Sequence, residues 1–413
     1  MNHLFNLLKK GKTQFHLVEE SIKYFKEAGF TLLSYKEPWD ITPGGKYIVS
    51  PFSSMLVAFC VGTNPTNLRV AAAHTDFPML KLKPNNEIRK KGYLQANIET
   101  YGGLIKETWF DRPLGLAGKV VTKGKDPFMP EVHFYDSEKP LFIIPNLAPH
   151  LKKNGSQEMD VQKEMIPILA TLDGNSTYPE DMLMSYIANS LSVKESEILD
   201  YDLYLYIHGE PCFVGLTDEL LASPRIDNIS SVSAISESLA SCVSDTSIAV
   251  AAFFDNEEVG SRSKQGADSF ILKNILDKIF NTIKEPKNSF CMSVDVAHAT
   301  HPNYPEKSDI TNEVTLGGGV VLKSSASQRY VTDSEAGAVF QALCQEYNIK
   351  FQRTVNRTGV IGGQTLGPIM SAYLPTYAVD MGIPVLAMHS ACETAHKKDY
   401  EELVKLLTAY FNH

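Results

Sequence analysis

No apolar run in this chain of 413 residues is long enough to span a bilayer. The opening, Met1-Asn-His-Leu-Phe-Asn-Leu-Leu-Lys-Lys10, also lacks the extended apolar core and small-residue cleavage site of a secretory leader. A helical membrane protein is excluded, and a cytoplasmic one is expected. Blocks of basic residues are missing too. With 39 Lys+Arg against 48 Asp+Glu the net charge is −9, which argues against nucleic-acid and anionic-membrane partners. The six cysteines (Cys60, Cys212, Cys242, Cys291, Cys344, Cys392) contain no C-x-x-C pair. Neither a disulfide framework nor a zinc knuckle is expected, and the thiols should be reduced and mostly buried. Gly317-Gly-Gly319 and Gly362-Gly-Gln-Thr365 mark turns, but no G-x-G-x-x-G or Walker pattern is present, so a nucleotide site is discounted.

What is present is ordinary globular chemistry, 43% hydrophobic and 21% charged, in a chain longer than one core normally holds. Two domains are the default. Thr13 can cap a helix with an apolar face of Phe15, Val18, Ile22 and Phe25, stopped at Gly29. Strand-like runs follow at 47–49, 55–61 and 68–73. From about residue 84 the texture changes to short alternating segments, 93–98, 119–122, 132–135 and 141–144, separated by Gly and Pro. This reads as a β-rich insert that closes near 220. Within it, 152–164 reads as a long mobile loop, 179–191 as a helix and 202–208 as a strand. The rest alternates helix and strand, with strands at 247–254, 290–294, 320–323 and 383–388 and helices after 227, over 335–347 and over 400–411.

The apolar runs share a property: each delivers polar groups at its end. Residues 68–73 lead to His74-Thr-Asp76, and 247–254 lead to Asp255-Asn-Glu257-Glu258-Val-Gly260. The run 290–294 leads to Asp295-Val-Ala-His298, and 383–388 to His389. Asp227 sits at a helix start, where it would also suit an N-cap. Adjacent strand residues point to opposite faces, so Glu257 and Glu258 can share a site only if the chain has already turned, and Gly260 is the residue expected to turn it. In an open α/β sheet, strand ends at one edge converge on a crevice. Two imidazoles and three carboxylates, with one carboxylate left over, suit two zinc-like ions bridged by an acid, since zinc takes N and O donors at ~2.0–2.2 Å.

These residues also resemble, in order and nearly end to end, the motifs of the M18 aspartyl-aminopeptidase family. The motifs are Ala-His74-Thr-Asp76-x-Pro, Ser-Pro-Arg-x-Asp227-Asn, Asn256-Glu-Glu258-Val-Gly-Ser, Asp295-x-Ala-His-Ala and Met-His389-Ser. Tyr101-Gly-Gly103, Trp109-Phe-Asp-Arg112, Leu116-Ala-Gly118, Ile144-Pro-Asn-Leu-Ala148 and Pro167-Ile-Leu-Ala170 extend the likeness. The resemblance implies an α/β fold: a three-layer catalytic domain with a central mixed sheet (1–84 and 221–413), interrupted by a β-rich dimerisation and assembly domain (85–220). It implies a zinc aminopeptidase acting on short peptides, with two zinc ions per subunit for which Mn or Co can substitute. His74 and Asp295 would bind one ion, Glu258 and His389 the other, and Asp227 would bridge them. Glu257 would be the general base and Asp76 the acid behind the first site. Lys323 would meet an acidic substrate side chain, and His150 would reach the active site of a neighbouring subunit in a tetrahedral dodecamer built from dimers. Gly359, Gln364 and Cys392 depart from the family pattern in turns near the substrate, which leaves the preference for an acidic first residue open. Two rivals are a related two-metal deacylase or carboxypeptidase, and a catalytically silent shell or cargo-binding member. The latter should have lost a ligand or the base, and all six groups are present.

Overall fold

The computed structural model describes residues 1–151, 159–173 and 179–413. It is a mixed α/β structure with several sheets. The chain divides into two compact units, the first formed by Met1–Phe77, Pro211–Met388 and Cys392–His413, the second by Pro78–Glu210 and His389–Ala391. The sequence texture had put the junctions at 84/85 and 220/221. Strand character already begins at Met79 in the second unit, where Met79, Leu80 and Leu82 are buried ahead of the polar residues that signalled the change.

The first unit is built on a nine-stranded sheet. Its strands are β1 (Thr31–Leu33), β2 (Lys46–Val49), β3 (Leu56–Val61), β4 (Asn67–His74), β5 (Ser247–Phe254), β6 (Asn288–Val294), β7 (Val320–Lys323), β8 (Phe351–Thr354) and β9 (Tyr377–Gly382). They lie in the order β1-β2-β3-β5-β4-β6-β9-β7-β8. The four central strands β5, β4, β6 and β9 are mutually parallel, and β5 is buried at every position. Buried on both faces, such strands read as unbroken apolar runs. Alternate residues, including Phe59, Val70, Ala72, Val250 and Phe254, pack with Leu272, Ile275 and Ile279 of helix Ile271–Phe280 in one core. Helix Ile226–Ala240 packs against β4 and β5. The expected inward face of Val232, Ile235 and Leu239 is buried, and so are Ser230, Ser231, Ser233, Ser236 and Ser238. These small residues let helix Lys397–Asn412 close over it, with the hydroxyls of Ser233 and Tyr400 2.7 Å apart. A smaller five-stranded sheet of Cys212–Val214, Leu220–Ser223, Glu393–His396, Pro384–Leu386 and Ala297–His298 completes this unit. His298 is thus an exposed residue of a short strand.

The second unit is a seven-stranded antiparallel sheet. Strand Ile198–Ile207 pairs with Met79–Lys90 at one side and also with Pro113–Asp126, from Ile198↔Thr122 to Ile207↔Leu114. This double pairing closes the sheet on itself, and strand Met129–Asp136 is appended alongside Pro113–Asp126. The long loop expected at 152–164 falls partly on 152–158, outside the described residues, while Val161–Glu164 forms one helical turn.

Several elements differ from the sequence reading, and helix Ile271–Phe280, strand β8 and helix Leu366–Ser371 are absent from it. Helix Asn2–Lys10 buries Leu4, Leu7 and Leu8. Strand β9 was hidden by Asp380, a fully buried carboxylate in its middle. The apolar stretch expected as a strand over 383–388 contributes only Pro384–Leu386. Among the described residues no helix is long and apolar enough to cross a membrane.

Gly382, at the end of β9, lies against Asp295. A Cβ there would sit 2.0 Å from the Asp295 carbonyl oxygen, and Asp295 N–H donates to Met381 O at 2.8 Å. Backbone cannot yield as a side-chain tip can. Gly382→Ala is therefore expected to destabilise the first unit by about 1–3 kcal/mol, the usual range for overpacking, read as a lower midpoint in urea unfolding. An unchanged midpoint would mean that the two segments separate freely.

Candidate metal centre

The parallel register of the central strands decides which residues meet. His74 ends β4 opposite Phe254 of β5, and Val294 of β6 pairs with Met381 of β9. His74, the Asp255–Glu258 turn and Asp295 therefore leave the sheet at the same edge. The turn begins one step earlier than Gly260 implied: Asn256 takes a left-handed conformation (φ 65°) before the glutamates, and Gly260 (φ 99°) closes the short 3-10 turn Glu257–Val259. The chain has left the strand before the pair, so both carboxylates can face one site. Asp227 enters from helix Ile226–Ala240, at the kinked first turn where its ψ of 109° is non-helical. It does not serve as the N-cap considered from sequence. Arg225 holds that position, and the Asp227 N–H donates to the buried Glu393 at 2.9 Å.

The geometry assigns the tautomer of His74. Its Nδ1 lies 2.9 Å from the carbonyl oxygen of Asp76, which can only accept, so Nδ1 carries the hydrogen. Nε2 is then directed at two carboxylates, 3.3 Å from Asp227 Oδ1 and 3.5 Å from Asp295 Oδ1. Asp76 does a second task with its side chain, accepting from Glu257 N at 3.1 Å and Glu258 N at 3.1 Å, one oxygen each. One residue thereby fixes both the imidazole and the turn that carries the glutamates.

Two groups in this unit bring one ligand atom per residue within 4.8 Å of one another: His74, Asp227 and Asp295, and His74, Glu257 and Glu258. Their electrostatics reflect the crowding of negative charge. Loss of solvent raises the Glu257 carboxyl well above the usual range; the nearby His74 opposes this, while Asp295, Glu258 and Asp76 add to it. Burial alone would lower the His74 imidazole, yet bonds to Asp227, Asp295 and Asp76 outweigh it and carry it well above its ordinary value. Burial works to raise Asp295, but Lys323 and His74 pull it below the usual carboxylate range against the charge of Asp227. Asp255, behind the turn, is pushed up to about 7 by burial and the Asp76 charge. Burying several carboxylates around one imidazole is costly unless a cation joins them. The donor set is nitrogen and oxygen, with His74 Nε2 aimed inward at the carboxylates and Nδ1 fixed by a carbonyl. This is the chemistry a zinc ion fits.

The remaining expected residues fall as follows. Lys323, expected at substrate, is 2% exposed. Its ammonium lies 3.3 Å from Asp295 Oδ2 and donates to Val296 O at 3.0 Å, because β7 runs antiparallel to β9 and ends beside Asp295. Its partner is thus a protein carboxylate. His389 belongs to the second unit, in a left-handed conformation (φ 67°). There its Nδ1 donates to Gly103 O at 3.0 Å. His150 also lies in the second unit, exposed on the 3-10 turn Pro149–Leu151.

Sequence reasoning missed two residues that orient the candidate ligands. Glu393 accepts the Asp227 N–H, and Asn228 donates from Nδ2 to Val294 O at 2.9 Å, tying the helix start to the end of β6. Asn228 was visible beside Asp227. Nothing in the run Cys392-Glu393-Thr394 marks Glu393.

Comparisons with known proteins agree on one family. The family described as Aminopeptidase I zinc metalloprotease (M18) matches residues 7–411. The probable M18 family aminopeptidase 2 of Clostridium novyi (strain NT) is 38% identical over 425 residues, covering 100% of this chain and 98% of that protein. The cryo-EM structure of the Ape4 and Nbr1 complex superposes with a TM-score of 0.93 at 32% identity, over 99% of this chain and 84% of that one. The mApe1 dodecamer of S. cerevisiae gives a TM-score of 0.87 at 25% identity, over 100% and 96%. With a match spanning nearly its whole length and relatives above 30% identity at full coverage, the chain belongs to the M18 family of zinc metalloprotease aminopeptidases.

Proposed function

We propose that this chain removes the first residue of short peptides at a centre of two zinc ions. The observation that carries the reading is the aim of His74 Nε2 at the carboxylates of Asp227 and Asp295, beside the Glu257–Glu258 turn. In this reading His74 and Asp295 would hold one ion, Glu258 and His389 the other, and Asp227 would contribute to both. When bound, the ions supply an acidified water and a polarised carbonyl. Glu257 takes the proton as the peptide carbonyl is attacked and later hands it to the leaving amine, a role that needs a carboxylate that is not itself a ligand. Asp76 keeps Glu257 in place through the two N–H bonds of the turn, and Glu393 keeps Asp227 in place through its backbone. Lys323 is assigned to the outer oxygen of Asp295, leaving the inner oxygen for the metal. The side chain preferred at the first position is set by the turns around Gly359, Gln364 and Cys392, and a panel of aminoacyl substrates reads it directly.

The second unit is assigned to assembly, by analogy with the mApe1 dodecamer. His150 then serves the active site of a neighbouring subunit, for which its exposure suits it.

Three outcomes follow. Glu257→Gln keeps size and hydrogen bonding but removes basicity, so it should retain both metals and lose at least ~10²-fold in kcat with little change in KM. Glu258→Gln should instead lower metal content by elemental analysis, and the same phenotype from both would reverse or cancel their division of labour. Asp227→Ala should lose most of the bound metal; retention of both ions would overturn the ligand assignment. In sedimentation velocity the full chain should run as a large oligomer. A fully active monomer would remove both the assembly role of the second unit and the role of His150.

A further inference from the structure

Away from the metal centre, the fold of the first unit brings together two cysteines that lie far apart in sequence. Cys60 is on β3, and Cys242 follows the C-terminal end of helix Ile226–Ala240. Both address one carbonyl: Leu239 O accepts from Cys60 Sγ at 3.6 Å and from Cys242 N at 3.0 Å. The Cys242 thiol itself donates to Phe411 O at 3.5 Å, and the two cysteines are 6% and 4% exposed. Cys291 and Cys344 are buried and Cys212 and Cys392 exposed, all as free thiols. The pair is also asymmetric. The neighbouring Cys60 thiol pulls the Cys242 thiol down to about 7 against its burial, with help from the Ser244 N–H and the Lys46 charge. The proximity of Cys242 and burial push Cys60 up. Lys46 is held beside them, its ammonium donating to Ala240 O at 3.0 Å.

We propose that Cys60 and Cys242 form a reversible intrachain disulfide when the protein meets a peroxide. The Cys242 thiolate attacks one peroxide oxygen, breaking the O–O bond to give a sulfenic acid and hydroxide. The Cys60 thiol then attacks the Cys242 sulfur, the S–O bond breaks, and the Cys60 proton leaves with the hydroxyl as water. Two thiols are oxidised, and one peroxide is reduced. A small oxidant suits the burial of the pair, and the adjoining Val243, 83% exposed, places it just beneath the surface. The link would staple β3 to the far end of the helix whose first turn carries Asp227, and a cross-link across so long a stretch of chain stabilises chiefly by restricting the unfolded state.

The test uses the full-length protein, titrated with hydrogen peroxide, acid-quenched, digested without reduction and mapped by mass spectrometry. The expected result is a Cys60–Cys242 linked peptide that disappears on treatment with dithiothreitol. A rise in Tm of ~3 °C or more should accompany it, absent in Cys242→Ser. Recovery of both residues as free thiols while Cys212 or Cys392 is oxidised would overturn the proposal. So would conversion of Cys242 to a sulfinic acid without the link, or pairing of either residue with another cysteine. The mapping is done on the native sequence and does not depend on the variant folding.

Discussion

Everything at the metal centre depends on the parallel pairing of β4 with β5 on one side and β6 on the other. Parallel strands end at the same edge, and that common direction is what lets His74, the Glu257–Glu258 turn and Asp295 meet. An antiparallel neighbour would have sent one of these ends to the opposite side of the unit. The pairing is stable because both faces are covered, and the small residues make the cover close. Ala71, Ala72 and Ala73 in β4 and Ala249, Ala251 and Ala252 in β5 are fully buried, leaving room for helices on either side. The buried serines of helix Ile226–Ala240 do the same from the helix side, Ser230 and Ser236 returning their hydroxyls to Ile226 O and Val232 O in the preceding turn.

On that frame the site is tuned by a second tier of groups. Asp76 is the central one, since its carbonyl sets the imidazole tautomer and its carboxylate holds the glutamate turn. Glu393 and Asn228 do for Asp227 what Asp76 does for His74. Lys323 puts a positive charge against Asp295, opposing the repulsion among the acids. Second-tier partners of this kind fix ligand orientation, and they explain why several buried acids can be held within reach of one another.

The strand ends, the helix after 227, the β-rich texture of the insert and the candidate ligands were legible in the sequence. Each is a local signal: an apolar run, a period, a turn residue, or an acid where a run stops. The family motifs supplied the expected roles. Less legible were features in which local chemistry and tertiary setting disagree. Strand β9 carries Asp380 in its middle, a carboxylate that a local reading places outside but that lies wholly buried, accepting from the Val331 N–H. Lys323 reads as a residue for an acidic partner, and in the fold its ammonium faces the carboxylate of Asp295.

What the sequence by itself determined is the set of segments and their chemistry, because hydrophobic periodicity and turn propensity act over a few residues. Only the tertiary structure decided partnership. The register of β5 against β4, the closure of the second unit by Ile198–Ile207 on Pro113–Asp126, the bond from Asp227 to Glu393 and the approach of Cys60 to Cys242 all join residues remote in the chain. No local pattern encodes such contacts. They are set by which faces must be buried together, and that is a property of the whole packed chain.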